Sequence, residues 1–303
     1  MTADHCATEA RLRADPLQGS AARAQRWLLV EHRGPWAVRA LDSTGLSGGV
    51  ATALHEAALA TRGRVLLIRR TGRRPRRAVQ QWAVVDHDGT QQWGTWRRPE
   101  DLLRAAEVML DGPAPPAHAR PPQPLVLVCT HGLHDTCCAV RGRPVAGALA
   151  ARWPDHTWEC THVGGDRFAP NVLVLPDGAC YGNLDEDSAQ EVVAAHLRGV
   201  VTAAHFRGVS TEPPAVQAAL SAAFTRYRPC GLGDVRSVTA DRTGDATWTV
   251  TLHGRGRLPL LVQADVRRVA APAELLTCRA QAPSSAFRYV VDALRIPSAE
   301  QAP

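Results

Sequence analysis

Lysine is absent from this chain: all 35 of its Lys+Arg positions are arginine. Together with the abundance of alanine, that pattern reflects a bias toward GC-rich codons rather than selection for guanidinium chemistry. The net charge of +6 is therefore weak ground for a nucleic-acid partner. The densest basic cluster, RRTGRRPRR (Arg69–Arg77), has no interleaved aromatic residues of the kind an RNA- or single-strand-binding patch would use. It carries Gly72 and Pro75 and lies between two strand-like runs, so it reads as a solvated hairpin loop. No nucleic acid is expected.

Long apolar runs are missing too. No stretch approaches the ~20 residues of a membrane-spanning helix, and no membrane association is expected. The first thirty residues show no apolar core flanked by basic residues and a small-residue cleavage site. The expected location is the cytoplasm. Also absent are a CxxC pair and two acidic residues placed to flank a glycosidic bond, which speaks against dithiol exchange and glycoside hydrolysis.

What the chain does have is cysteine. Eight in a cytosolic chain of 303 residues do not suggest a disulfide scaffold, which belongs to small secreted domains. Cys6, Cys180, Cys230 and Cys278 are scattered, whereas Cys129, Cys137, Cys138 and Cys160 crowd together.

The length allows two or three domains. Residues 1–25 are polar and alanine-rich, and are expected to be loosely ordered. WLLVEH reads as a strand, GGVATALHEAALATRG as a helix ending in glycine, and RVLLIRR as a buried strand. AVQQWAVVDH and TQQWGTW form a hairpin around Asp88-Gly89, and RPEDLLRAAEVML is a helix with Pro99 in its first turn. These make an α/β domain over 26–112. Residues 113–124, within DGPAPPAHARPPQP, are a Pro-rich linker.

After the linker the order repeats. LVLVCTH, HTWECTH, NVLVLPDG and CYGNL read as strands, with helices in CCAVRGRPVAGALAARW and DEDSAQEVVAAHLRG. Both halves run strand–helix–strand–strand–strand–helix, a thioredoxin-like layout in one mixed sheet flanked by helices. The fold class is thus α/β, with a second thioredoxin-like half over 125–212 and a first, unliganded one. Residues 213–303 form a small α+β extension with a helix and two or three strands.

Chemistry gathers in the second half. Cys129 ends a buried central strand, and in open α/β sheets function collects where strands end and helices begin. Cys138 stands near the start of the next helix, where the N-terminal dipole stabilises a thiolate. If TWECTH is extended, Cys160 and His162 share a face, and Gly164-Gly165 let the chain turn tightly before Asp166 and Arg167. Cys129, Cys137 or Cys138, Cys160, His162 and Asp166 suffice for a four-coordinate soft-metal site. The alternative is that these cysteines are small buried hydrophobes and His162 a hydrogen-bonded strand residue.

VCTHGLHDTCCAVRGRP, WECTHVGGDRFAPNVLVLPDGACYGNLD and WLLVEHRGPWA resemble the sucrase/ferredoxin-like family, whose cluster-bearing part is a thioredoxin-like [2Fe-2S] ferredoxin. The resemblance runs from about Trp27 to past residue 210. It implies one-electron transfer or redox sensing with an unidentified redox partner protein, in a carrier rather than a substrate-transforming enzyme. The family pattern of cysteine, eight residues, cysteine, and later histidine, three residues, histidine falls on Cys129, Cys138 and His162. The chain departs from it at the fourth position, where Asp166 replaces the second histidine. Asp166 is the favoured fourth ligand, with Cys160 the alternative and a weak fourth position a third outcome. Cys137 is then a neighbour of the site. Arg167 could offset cluster charge, and His131, His134 and Asp135 are expected in a solvated loop. Zinc or no metal on the same residues would make a non-redox binding module instead. Thiol catalysis by Cys137 and Cys138 is disfavoured, because adjacent cysteines pair only in a strained ring.

Overall fold

The computed structural model describes residues 5–43, 45–46, 48–72, 79–114 and 123–297. The basic loop expected at Arg69–Arg77 and the Pro-rich linker fall largely on residues outside these.

After a short helix α1 (Cys6–Leu12), the first half runs β1 (Arg26–Glu31), α2 (Gly48–Ala60), β2 (Arg64–Arg69), β3 (Gln80–Asp86), β4 (Gln91–Trp96) and α3 (Leu103–Asp111). The second runs β5 (Leu125–Cys129), α4 (Thr136–Arg152), β6 (Thr157–Cys160), β7 (Val172–Leu175), β8 (Ala179–Tyr181) and α5 (Glu186–Leu197). In each half the first two strands are parallel, the third runs antiparallel to the first, and the fourth antiparallel to the third.

The two halves meet through their second strands. β2 pairs antiparallel with β6 at Ile68↔Cys160 and Arg69↔Glu159, joining everything into one mixed sheet. A further strand, β9 (Phe206–Val209), pairs with β8, and the order becomes β4-β3-β1-β2-β6-β5-β7-β8-β9. The C-terminal extension contains α6 (Pro214–Arg226) and four strands, β10 (Val235–Gly244), β11 (Thr247–Gly254), β12 (Leu261–Glu274) and β13 (Ser284–Arg295), in one antiparallel sheet. No helix among the described residues is long and apolar enough to cross a membrane.

Alternation along the strands sorts the core. Val126 and Val128 of β5 face a cluster shared with α4, α5 and α6, and Leu28 and Val30 of β1 face one built with α2 and α3. On the opposite face, Trp27, Leu29, Leu66 and Ile68 join Leu125, Leu127, Cys129 and Cys160 in a single cluster that spans both halves. Cys6, Ala7, Ala21 and Ala24 belong to that cluster as well.

For residues 5–25 this corrects the expectation of a loosely ordered segment over 1–25. From His5 onward the chain lies against the sheet, because its small residues close the face that both halves leave uncovered.

Candidate metal centre

Three chain segments converge at the C-terminal end of β5. Cys129 finishes the strand and Cys138 lies in the first turn of α4. His162 and Asp166 come from the turn after β6. The ligating atoms of Cys129, Cys138 and His162 lie within 4.8 Å of one another, and those of His134, His162 and Asp166 do likewise. Cys138 Sγ donates to Asp166 Oδ1 at 3.3 Å. His162 Nδ1 stands 2.8 Å from the same oxygen, and His134 Nε2 3.6 Å from Oδ2. The two imidazoles stack at 3.9 Å. Cys129, Cys138 and Asp166 are buried, while the His162 side chain keeps 25% of its exposure.

The ionisable groups of the site shift one another's proton affinities. Contacts with Cys138 and His162 lower the Cys129 pKa against the cost of burial. Cys138 is pushed up by the same contact, by burial and by Asp166. These two neighbours, Cys129 and Asp166, act against the helix N-terminus at Cys138. Burial opposes a charge on His162, yet Asp166 and Cys129 raise its pKa to about 9. Burial likewise disfavours charge on Asp166, but His134 and His162 hold its carboxyl well below the usual range.

The donor set fits a soft or borderline metal. Two thiols, an imidazole and a carboxylate face one another, and His162 Nδ1 is buried without an aligned hydrogen-bond partner despite its nearness to Asp166. Among the described residues the ion pairs of Asp166 are made with histidines alone.

Other elements hold the turn in place. Gly164 and Gly165 have φ of +94° and +76°, a backbone region that favours glycine. A Cβ on Gly165 would meet Arg207 Nη2. Arg207, fully buried in β9, donates to the Gly164 carbonyl and Asn171 Oδ1 at 2.8 Å each, and to Ser20. From the first half, Arg64 donates to the carbonyls of His162 and Val163 at 2.9 and 2.8 Å. Asn171 Nδ2 donates to the Gly165 carbonyl. Composition offered no means of distinguishing Arg64 and Arg207 from the other arginines.

The expected loop residues sit differently. His131 and Asp135 are buried rather than solvated, at 2% and 0% exposure. His131 Nε2 lies 2.7 Å from the Ala37 carbonyl and its ring packs edge-on to Trp36, so the first half covers this loop. Arg167 pairs with Asp15 at 3.4 Å. Cys160 is Cys129's register partner in the parallel pair, but it belongs to neither ligand group. β6 ends at Cys160, Thr161 bonds to Leu67, and the period of two no longer links Cys160 to His162. Cys137 turns the other way, toward Cys6 and Cys278.

A family model described as sucrase/ferredoxin-like matches residues 17–208. The chain belongs to the sucrase/ferredoxin-like family. Neither the curated proteins nor the solved structures provide a match. The matched segment of this sucrase/ferredoxin-like chain contains all four nominated residues, Cys129, Cys138, His162 and Asp166, together with the supporting Arg64 and Arg207. It leaves out Cys6, Cys278 and the whole C-terminal extension.

Proposed function

We propose that this chain carries a [2Fe-2S] cluster on Cys129, Cys138, His162 and Asp166 and exchanges single electrons with a partner protein. The observation that supports the reading is the convergence of three segments on two ligand groups that share His162, one with Cys129 and Cys138 and the other with Asp166, whose Oδ1 lies 3.3 Å from Cys138 Sγ. Such a cluster, when bound, takes up and releases one electron. Loading it removes a proton from each thiol, and the low pKa of Cys129 eases the first of these losses. His162 and His134 retain 25% and 33% of their side-chain exposure, against the buried sulfurs, so the imidazole side faces a partner. A titratable ring at that edge also allows electron uptake to be coupled to a proton. A reducing, cytoplasmic setting suits thiolate ligands.

Purification without oxygen, with iron analysis and a visible spectrum, tests this. The expected result is about two irons per chain with sulfide-to-iron absorption. A protein that stays colourless and iron-free after cluster reconstitution overturns the proposal. Tightly held zinc on these four residues with no visible absorption would point instead to a non-redox module.

A further inference from the structure

A second thiol cluster lies beside the first, on the far side of the Cys137-Cys138 pair. Cys6 Sγ, Cys137 Sγ and Cys278 Sγ form a triangle with sides of 3.8, 3.4 and 3.4 Å. The segments that bring them together are distant in sequence: α1, the start of α4, and the loop between β12 and β13. The Asp135 side chain, fully buried, faces the same point. One oxygen accepts from the Cys137 N–H at 2.8 Å, the other from the Cys278 N–H at 2.7 Å, and both lie within 3.8 Å of Cys6 Sγ. Among the described residues Asp135 makes no ion pair.

We propose that Cys6, Cys137, Cys278 and Asp135 bind one divalent cation of the zinc class. A tetrahedral ion with Zn–S bonds of about 2.3 Å spaces its sulfurs roughly 3.8 Å apart, close to the triangle found here. All four ligand atoms lie within 4.8 Å of one another. The two backbone N–H groups fix the carboxylate's direction, as outer-shell contacts do around metal ligands. Binding releases one proton from each thiol, so the dication takes the place of three protons among buried ligands and the loaded site carries a formal charge of −2. Cys278 is only partly buried and gives the ion a way in. Cys6 and Cys278 lie outside residues 17–208, so the site is separate from the four cluster ligands and does not depend on the cluster reading. Three thiols meeting merely as core hydrophobes would bind nothing.

The test uses the full chain, purified under reductant and incubated with one equivalent of Zn²⁺. Zinc and iron are measured separately, and absorption at the zinc edge counts sulfur neighbours. The expected result is one zinc per chain with three sulfur scatterers. Cys278→Ser and Cys6→Ser should each weaken zinc binding at least tenfold, with iron content, visible spectrum and circular dichroism unchanged. No bound zinc in the parent chain, zinc retained in both variants, or a disulfide among these thiols under reductant would each overturn the proposal. If the cluster is missing and zinc enters its site instead, the sulfur count still tells the two apart: three neighbours here against two from Cys129 and Cys138.

Discussion

Asp166 shows how much one side chain can set. It occupies the position at which the family pattern has a second histidine, and it brings a formal negative charge where imidazole brings none. Added negative charge favours the ferric state, so the potential of a cluster held here should lie below that of a centre with two cysteines and two histidines. Asp166→His should therefore raise the midpoint potential, by on the order of 100 mV, with iron content preserved. Cys160→Ser should leave potential and iron unchanged, because Cys160 stands outside both ligand groups. Redox titration followed by visible absorption checks the pair. Loss of iron in Cys160→Ser together with an unmoved potential in Asp166→His would transfer the fourth ligand to Cys160.

At the scale of elements, α4 packs tightly against the end of β5. A Cβ on Gly142 would lie 2.2 Å from the Cys129 carbonyl oxygen, so only glycine lets the helix lie against the end of β5. Gly142→Ala should push α4 outward, destabilise the chain by about 1–3 kcal/mol, and loosen Cys138 from Cys129. Urea unfolding monitored by tryptophan fluorescence, beside iron analysis, reads both effects; unchanged stability would show that α4 shifts freely. Elements of this kind were largely legible from the sequence. The valine and leucine of LVLVC announce a buried strand, and the hairpin at Asp88-Gly89 and the helix over 186–197 follow local rules. Turns and small residues hid the rest. β6 stops at Cys160 because Thr161 is captured by Leu67 and Arg64 holds the carbonyls after it, neither of which a two-residue period can anticipate. α1 escaped notice because Cys6, Ala7 and Ala10 are buried by distant parts of the chain rather than by their own apolarity. The meeting of Cys6 with Cys278 joins residues 272 positions apart, beyond any local pattern.

For the whole molecule, the question is whether the two halves are separable. Their strand orders mirror each other across β2 and β6, which suggests two copies of one unit, yet the interface between them is more than an edge contact. Trp27, Leu29, Leu66 and Ile68 from the first half share a core with Leu127, Trp158 and Leu173 from the second, and Arg69 pairs with Glu159 at 2.8 Å. Removing the first half would expose the second half's side of that core. It would also remove Arg64 from the His162 and Val163 carbonyls. Each large apolar side chain left exposed costs ~1.5–3 kcal/mol, and a few such losses equal the whole stability of a typical domain. A fragment of residues 125–212 should therefore fail to unfold cooperatively, should bind a hydrophobic dye, and should hold no iron after reconstitution. The full chain should show one transition by both fluorescence and circular dichroism. A fragment that unfolds cooperatively with iron bound would mean that the second half folds alone, and that the first half serves to shield the site and dock partners rather than to build it.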